Sequence, residues 1–154
     1  MQQHVVGALF APMPGGKLSI VAGSYVDEDA SIILLVNDAS EMHEAVRQLV
    51  RIGLDRVHGW IPVSEALEVS GITRCQESIG TADLAEALAI QPNAMVLDVR
   101  GVDEFAQSHV EGACNLPYTR LAARLDEIPA ETPLYIHCGT GLRASFATAY
   151  LTSQ

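Results

Sequence analysis

Three apolar runs constrain this chain more than any other feature: "SIILLVND" (31–38), "AMVLDVR" (94–100) and "PLYIHCG" (133–139). Each is continuous rather than alternating, so each reads as a strand covered on both faces. Stretches with helical character follow them: "SEMHEAVRQLVRIG", "VDEFAQS" and "LRASFATAYLTSQ". Buried strands that alternate with helices predict an α/β fold, a parallel sheet flanked by helices. A chain of 154 residues has room for one good core or two small ones.

The chain also matches itself. "HVVGALFAP" (4–12) and "HVEGACNLP" (109–117) share H-V-x-G-A-x-x-x-P in the same spacing. Each is followed by a connection, a buried strand and a helix. The second copy has more in front of it: a strand within "ITRCQESI", a helix "TADLAEAL" capped by Thr81, the strand "AMVLDVR" and the helix "VDEFAQS". The first copy lacks that front portion but continues past its helix into the strand "LDRVHGWI". The second copy ends with its helix and lacks a final strand. The expected organisation is a partial, degenerate copy over 1–61, a linker over 62–71 and a nearly complete copy over 72–154. The linker reads as a helical turn closed by a glycine bend.

Composition excludes several classes. Only 18% of residues are charged and 49% are apolar, as in globular proteins. The formal net charge of −10 argues against an extended nucleic-acid footprint or an anionic membrane surface. No apolar run reaches membrane-helix length, and no basic leader precedes the first apolar stretch. Cys75, Cys114 and Cys138 are too few and too far apart for a disulfide scaffold. A reducing cytoplasm is the expected location. The histidines, at 4, 43, 58, 109 and 137, are scattered and form no metal motif. Neither a metal nor a cofactor is expected.

Cys138 stands where a strand gives way to a glycine-rich turn before a helix. That is the carboxyl edge of a parallel sheet, where open α/β folds bind ligands. Gly139 and Gly141 free the backbone so that successive N–H groups can converge on one point. The helix from Leu142 adds its positive end, and Arg143 adds a cation. All of these lower a thiol pKa or bind an anion attached to it. The loop alone still fits a buried cysteine before an ordinary tight turn, and the flanking strand and helix favour the nucleophile.

"LDVRGVDEFAQSHVEGACNLP" followed by "YIHCGTGLRAS" resembles the rhodanese family. The pattern is carried by Leu97, Asp98, Val99, Arg100, Glu104, Phe105, His109, Gly112, Ala113, Pro117, Cys138, Gly141 and Arg143. The resemblance spans about residues 72–154. It implies a sulfurtransferase in which Cys138 takes the outer sulfur of thiosulfate or a persulfide and passes it to a thiol or cyanide-type acceptor. Backbone N–H groups across Gly139, Thr140, Gly141, Leu142 and Arg143 would bind the persulfide, with the Arg143 side chain orienting loop or substrate. Asp98, Arg100 and His109 would support the fold. His137 reads as a packing or hydrogen-bonding residue rather than the base. Cys75 and Cys114 read as bystanders, Cys114 as a packed hydrophobe. Six residues from Cys138 to Arg143 make a smaller cradle than the seven of related cysteine phosphatases, so a phosphatase or arsenate reductase is the lesser reading.

In the first copy, Asn37 and Asp38 align with His137 and Cys138, so that copy is expected to be inactive. The order of copies is similar to the C-terminal part of persulfide dioxygenase fusions, which carry a metallo-β-lactamase-type domain in front. This chain has no such metal cluster, and a fragment or shortened relative is the expectation. Exposed sheet edges would then favour a homo-oligomer or contact with the missing domain. The rival function is a non-enzymatic interaction or sulfur-relay module.

Overall fold

The computed structural model describes residues 2–69, 71 and 73–154. The chain divides into two compact units, with the boundary after Gln76.

The first unit runs β1 (Gln2–Val5), α1 (Lys17–Tyr25), β2 (Ile32–Val36), α2 (Ala39–Val50), β3 (Val57–Pro62), α3 (Val63–Glu68) and β4 (Thr73–Gln76). β2 and β3 pair in parallel, as the apolar run followed by a helix requires. Its core joins Leu18 and Ala22 of α1, Leu34 and Val36 of β2, and Ala45 and Leu49 of α2 to Leu54. Leu34 and Val36 are buried on one face of the strand, while on the other Ile33 is exposed and Leu35 half-buried, so β2 is covered fully on one face only. The residues read as a linker lie within the first unit, where α3 forms over 63–68 and Gly71 has φ 84°.

The second unit contains α4 (Leu84–Ile90), β5 (Met95–Asp98), α5 (Val102–Gln107), β6 (Cys114–Asn115), β7 (Leu134–His137) and α6 (Leu142–Leu151). Its sheet is parallel throughout, in the order β6-β5-β7. The central strand is buried along Val96, Leu97 and Asp98 and, just beyond it, Val99. Phe146 and Ala147 of α6 are fully buried, and the Phe146 ring packs at 5.7 Å against Tyr118. The observed architecture is therefore α/β with parallel sheets and helices, as expected.

Some local expectations are corrected. Thr81 does not cap α4: the helix starts at Leu84, three residues later, and Thr81 lies in the turn closed by Asp83 N–H donating to Gly80 O at 3.1 Å. Between the two copies of H-V-x-G-A the turn is the same. Gly7 and Gly112 both have φ 77°, and Ala8 and Ala113 donate to Val5 O and Val110 O. What adjoins the turn differs. β6 follows the second turn and lies beside β5, whereas β1 precedes the first and pairs antiparallel with β4. That antiparallel pair was not foreseen.

The core makes a direct prediction. Phe146→Ala should lower the free energy of unfolding by about 3–5 kcal/mol, from lost burial plus the cavity left behind. Chemical denaturation of the two proteins checks it.

Candidate active site

The second unit's sheet brings three strand ends to one edge. Asp98 closes β5 and is fully buried. A bare carboxylate there would be costly, and the chain answers with Arg100 two residues on. Its Nε donates to both carboxylate oxygens at 3.0 Å, Nη2 to Oδ2 at 2.6 Å, and its backbone N–H to Oδ1 at 3.0 Å. Burial pushes the Asp98 pKa up, but these hydrogen bonds and the neighbouring His137 and Arg100 charges outweigh it and hold the carboxyl below its usual range. Arg100 also donates to Ser108 O at 2.6 Å, fixing the exit from α5. His109 continues this brace: its ring stacks on Phe105 at 4.0 Å and its Nδ1 lies 2.9 Å from Phe105 O.

β7 places Cys138. His137 is in register with Asp98, so Cys138 is the first residue beyond the sheet. His137 Nε2 lies 3.3 Å from Asp98 Oδ2, but it is buried without a hydrogen bond among the described residues. The loop then reaches α6, whose first turn faces the sulfur. Ala144 N–H donates to Cys138 Sγ at 3.4 Å. Burial pushes the thiol pKa up, yet the backbone N–H groups of Ala144, Thr140, Gly141 and Arg143 together bring it below the ordinary cysteine value. Ala144 was absent from the sequence reading. Its signal is positional only: it is the third residue of α6, whose N–H has no partner inside the helix.

The two loop glycines are not equivalent. Gly141 has φ 87°, the left-handed region that favours glycine, and its carbonyl accepts the Ser145 N–H that opens α6. Gly139 is not in that region. A Cβ there would sit in ordinary contact, 3.7 Å from Arg143 Nη2, which corrects the expectation that both glycines serve backbone freedom. Leu142 is an exposed apolar residue and Thr140 an exposed polar one on the loop surface.

Arg143 is held from a distance. Its Nη1 and Nη2 form a two-point pair with the Glu104 carboxylate, Nη2 to Oε1 at 2.8 Å. Glu104 also accepts Gly101 N–H at 3.3 Å, so one carboxylate closes the start of α5 and grips the cysteine loop. The Arg143 hydrogen bonds, against a smaller burial penalty, lower the Glu104 pKa to about 2. Glu104 in turn raises the already high Arg143 pKa, with a lesser contribution from the Cys138 sulfur. The sequence displayed Glu104 in its motif without revealing this partner, 39 residues on.

Of the remaining cysteines, Cys114 is exposed, not a packed hydrophobe: it lies in β6, a two-residue strand at the edge of the sheet. The Cys75 side chain lies outside the described residues. Among the described residues no group of three His, Cys, Asp or Glu is placed to hold a metal, and no helix is long and apolar enough to cross a membrane.

Residues 81–154 match the Rhodanese-like domain. A sulfurtransferase of Allochromatium vinosum is 33% identical over 76 residues, covering 49% of this chain and 71% of that protein. The chain belongs to the rhodanese family. The uncharacterized protein YqhL of Bacillus subtilis is 36% identical over 58 residues, which span 38% of this chain and 46% of that one. Among solved structures, a rhodanese-related protein from Thermoplasma volcanium aligns at 26% identity with a TM-score of 0.45, over 50% of this chain and 74% of that one. The reduced CoADR-RHD of Bacillus anthracis aligns at 27% identity and the same TM-score, over 49% of this chain and 13% of that one. The family supports a sulfur-transfer role in general terms.

Two outcomes test the rhodanese loop. Gly141→Ala should destabilise the protein by about 1–2 kcal/mol, because an alanine must adopt a left-handed backbone there. Gly139→Ala should cost less in the same denaturation assay. In acid, the stability supplied by the Glu104 carboxylate is complete above its ordinary pKa of 4.5 and is lost as pH falls towards about 2. A Glu104→Gln variant should therefore show a shallower loss of stability across that window in pH-dependent melting.

Proposed function

We propose that the second unit is a rhodanese-type sulfurtransferase with Cys138 as its nucleophile. One observation carries the reading: the Cys138 sulfur sits against N–H donors of its own loop and of α6, with its thiol pKa lowered. A thiolate stabilised in this way attacks the outer sulfur of a donor, the donor's S–S bond breaks, and its remainder leaves with the electron pair. The product is a persulfide on Cys138, whose terminal sulfur meets the same N–H groups. A thiol or cyanide-type acceptor then takes that sulfur and regenerates the thiolate. No proton need be removed by a separate base when the thiol already ionises readily. Arg143, fixed by Glu104, holds the loop's far end, and Asp98, Arg100 and His109 act by keeping the sheet edge in place.

The loop length favours sulfur over phosphate, since Cys138 to Arg143 is six residues. We read the first unit as a degenerate, non-catalytic copy of the second. Support comes from the shared Val-x-Gly-Ala turn and from Asp38, which caps α2 where a cysteine loop would precede the helix.

Incubation of the reduced protein with thiosulfate or an organic persulfide, followed by intact mass spectrometry, tests the assignment. The expected result is a gain of one sulfur atom, reversed by cyanide and absent from Cys138→Ser. No gain with either donor rejects the enzyme and leaves the interaction module.

A further inference from the structure

The two arginines at the ends of the cysteine loop's brace, Arg143 and Arg100, are already engaged. Arg143 is the sole basic side chain in the loop, and both of its terminal nitrogens go to Glu104. Arg100, just beyond the end of β5, is bound to the buried Asp98 and to Ser108 O. Arg124 is paired with Glu127, and the Arg120 side chain makes no ion pair or hydrogen bond among the described residues. With the thiolate formed, Cys138, Arg143 and Glu104 together carry one net negative charge. The N–H groups of the cradle are matched to that one charge on sulfur. Neither Arg143 nor Arg100 is left as a free cation for a second anionic group on the donor.

Exposed apolar residues, not cations, open the two helices beside the loop. Leu142 and Val102 are the first residues of α6 and α5, the helices joined by the Arg143–Glu104 pair, and both are exposed, Val102 at 62%. Thiosulfate is a dianion, and the group it must present outward is the charged sulfonate, released as sulfite. A persulfide with an organic tail presents carbon there. The chain's net charge of −10 adds to the repulsion of a dianion.

We propose that Glu104 sets the donor class, withholding Arg143 from the substrate and making the site selective for persulfides with an uncharged organic tail over thiosulfate. This rests on the sulfurtransferase reading. The two loading reactions balance differently. With the persulfide, the Cys138 thiolate and R–S–SH give Cys138–S–SH and RS⁻. With thiosulfate, the thiolate and the dianion give the Cys138 persulfide anion and sulfite. In the second case a dianion must approach, and a dianion must leave, a site already negative.

Single-turnover loading of the full chain by thiosulfate and by the persulfide of 2-mercaptoethanol, followed by mass, separates the possibilities. In the unsubstituted protein, thiosulfate loading should accelerate as ionic strength rises, because salt screens the repulsion. Glu104→Gln should raise the ratio of thiosulfate to persulfide loading rates by about tenfold, the scale expected when one nearby charge is removed in a partly screened site. Leu142→Lys, which adds a cation at the rim and leaves the Glu104 pair alone, should move the ratio the same way. Thiosulfate loading that slows with added salt would mean that a free cation, such as Arg120, receives the sulfonate, and overturns the proposal. A ratio unmoved in both variants overturns it as well. Loading by neither donor rejects the sulfurtransferase reading itself, and the selectivity with it.

Discussion

A carboxylate with no exposure at the end of the central strand organises the second unit. Asp98 is bounded by β6 on one side and β7 on the other, so its charge must be met from within. Arg100 folds back to meet it and continues to Ser108 O, while the Asn115 amide donates to the carbonyls of Asp98 and Arg100 at 2.9 and 3.0 Å. One polar node therefore ties the end of β5, the exit from α5 and the end of β6. Leaving any of these groups unpaired in so enclosed a place costs more than the pair itself contributes.

The thiol inherits its position from that node. β7 pairs with β5 so that His137 stands beside Asp98, and Val99 N–H donates to His137 O at 3.1 Å. Cys138 is thus delivered to the edge by sheet register rather than by the loop. The loop's task is narrower: Gly141 turns the chain so that α6 begins with its N–H groups towards the sulfur. Glu104 then links α5 to α6 through Arg143. Two strand-to-helix transitions share this edge, and two carboxylate–arginine pairs brace them: Asp98 with Arg100 inside, and Glu104 with Arg143 outside.

The parallel strands were legible because apolar side chains fill the runs without interruption, and the nucleophile because a cysteine between a strand and a glycine turn has few structural uses. The antiparallel β1–β4 pair was not legible. "QQHV" and "TRCQ" have no apolar periodicity, and their pairing joins segments about seventy residues apart in sequence. Ala144 was missed because its contribution is a backbone N–H, which any residue type would supply. Cys114 was misjudged because a two-residue edge strand gives a small apolar side chain nothing to pack beneath. The roles of Glu104 and Gly139 depend on Arg143's rotamer, which sequence spacing cannot specify.

The helices α2 and α6 solve the same problem in two ways. Each begins with N–H groups that no helical carbonyl can reach. In α2 the third N–H, of Glu41, donates to the Asp38 side chain at 3.0 Å, and Glu41 in return accepts from Asn37 N–H at 2.8 Å. The helix end is closed, with a fixed carboxylate in the anion's place. In α6 the third N–H, of Ala144, donates to a cysteine sulfur set back beyond a three-residue turn. A thiol is a poor acceptor and a thiolate a good one, so the same donors that need a partner draw the sulfur towards its ionised form. Capping the helix and activating the nucleophile are then one interaction. Because a sulfur can extend by another sulfur while a carboxylate cannot, only the second arrangement leaves room for group transfer.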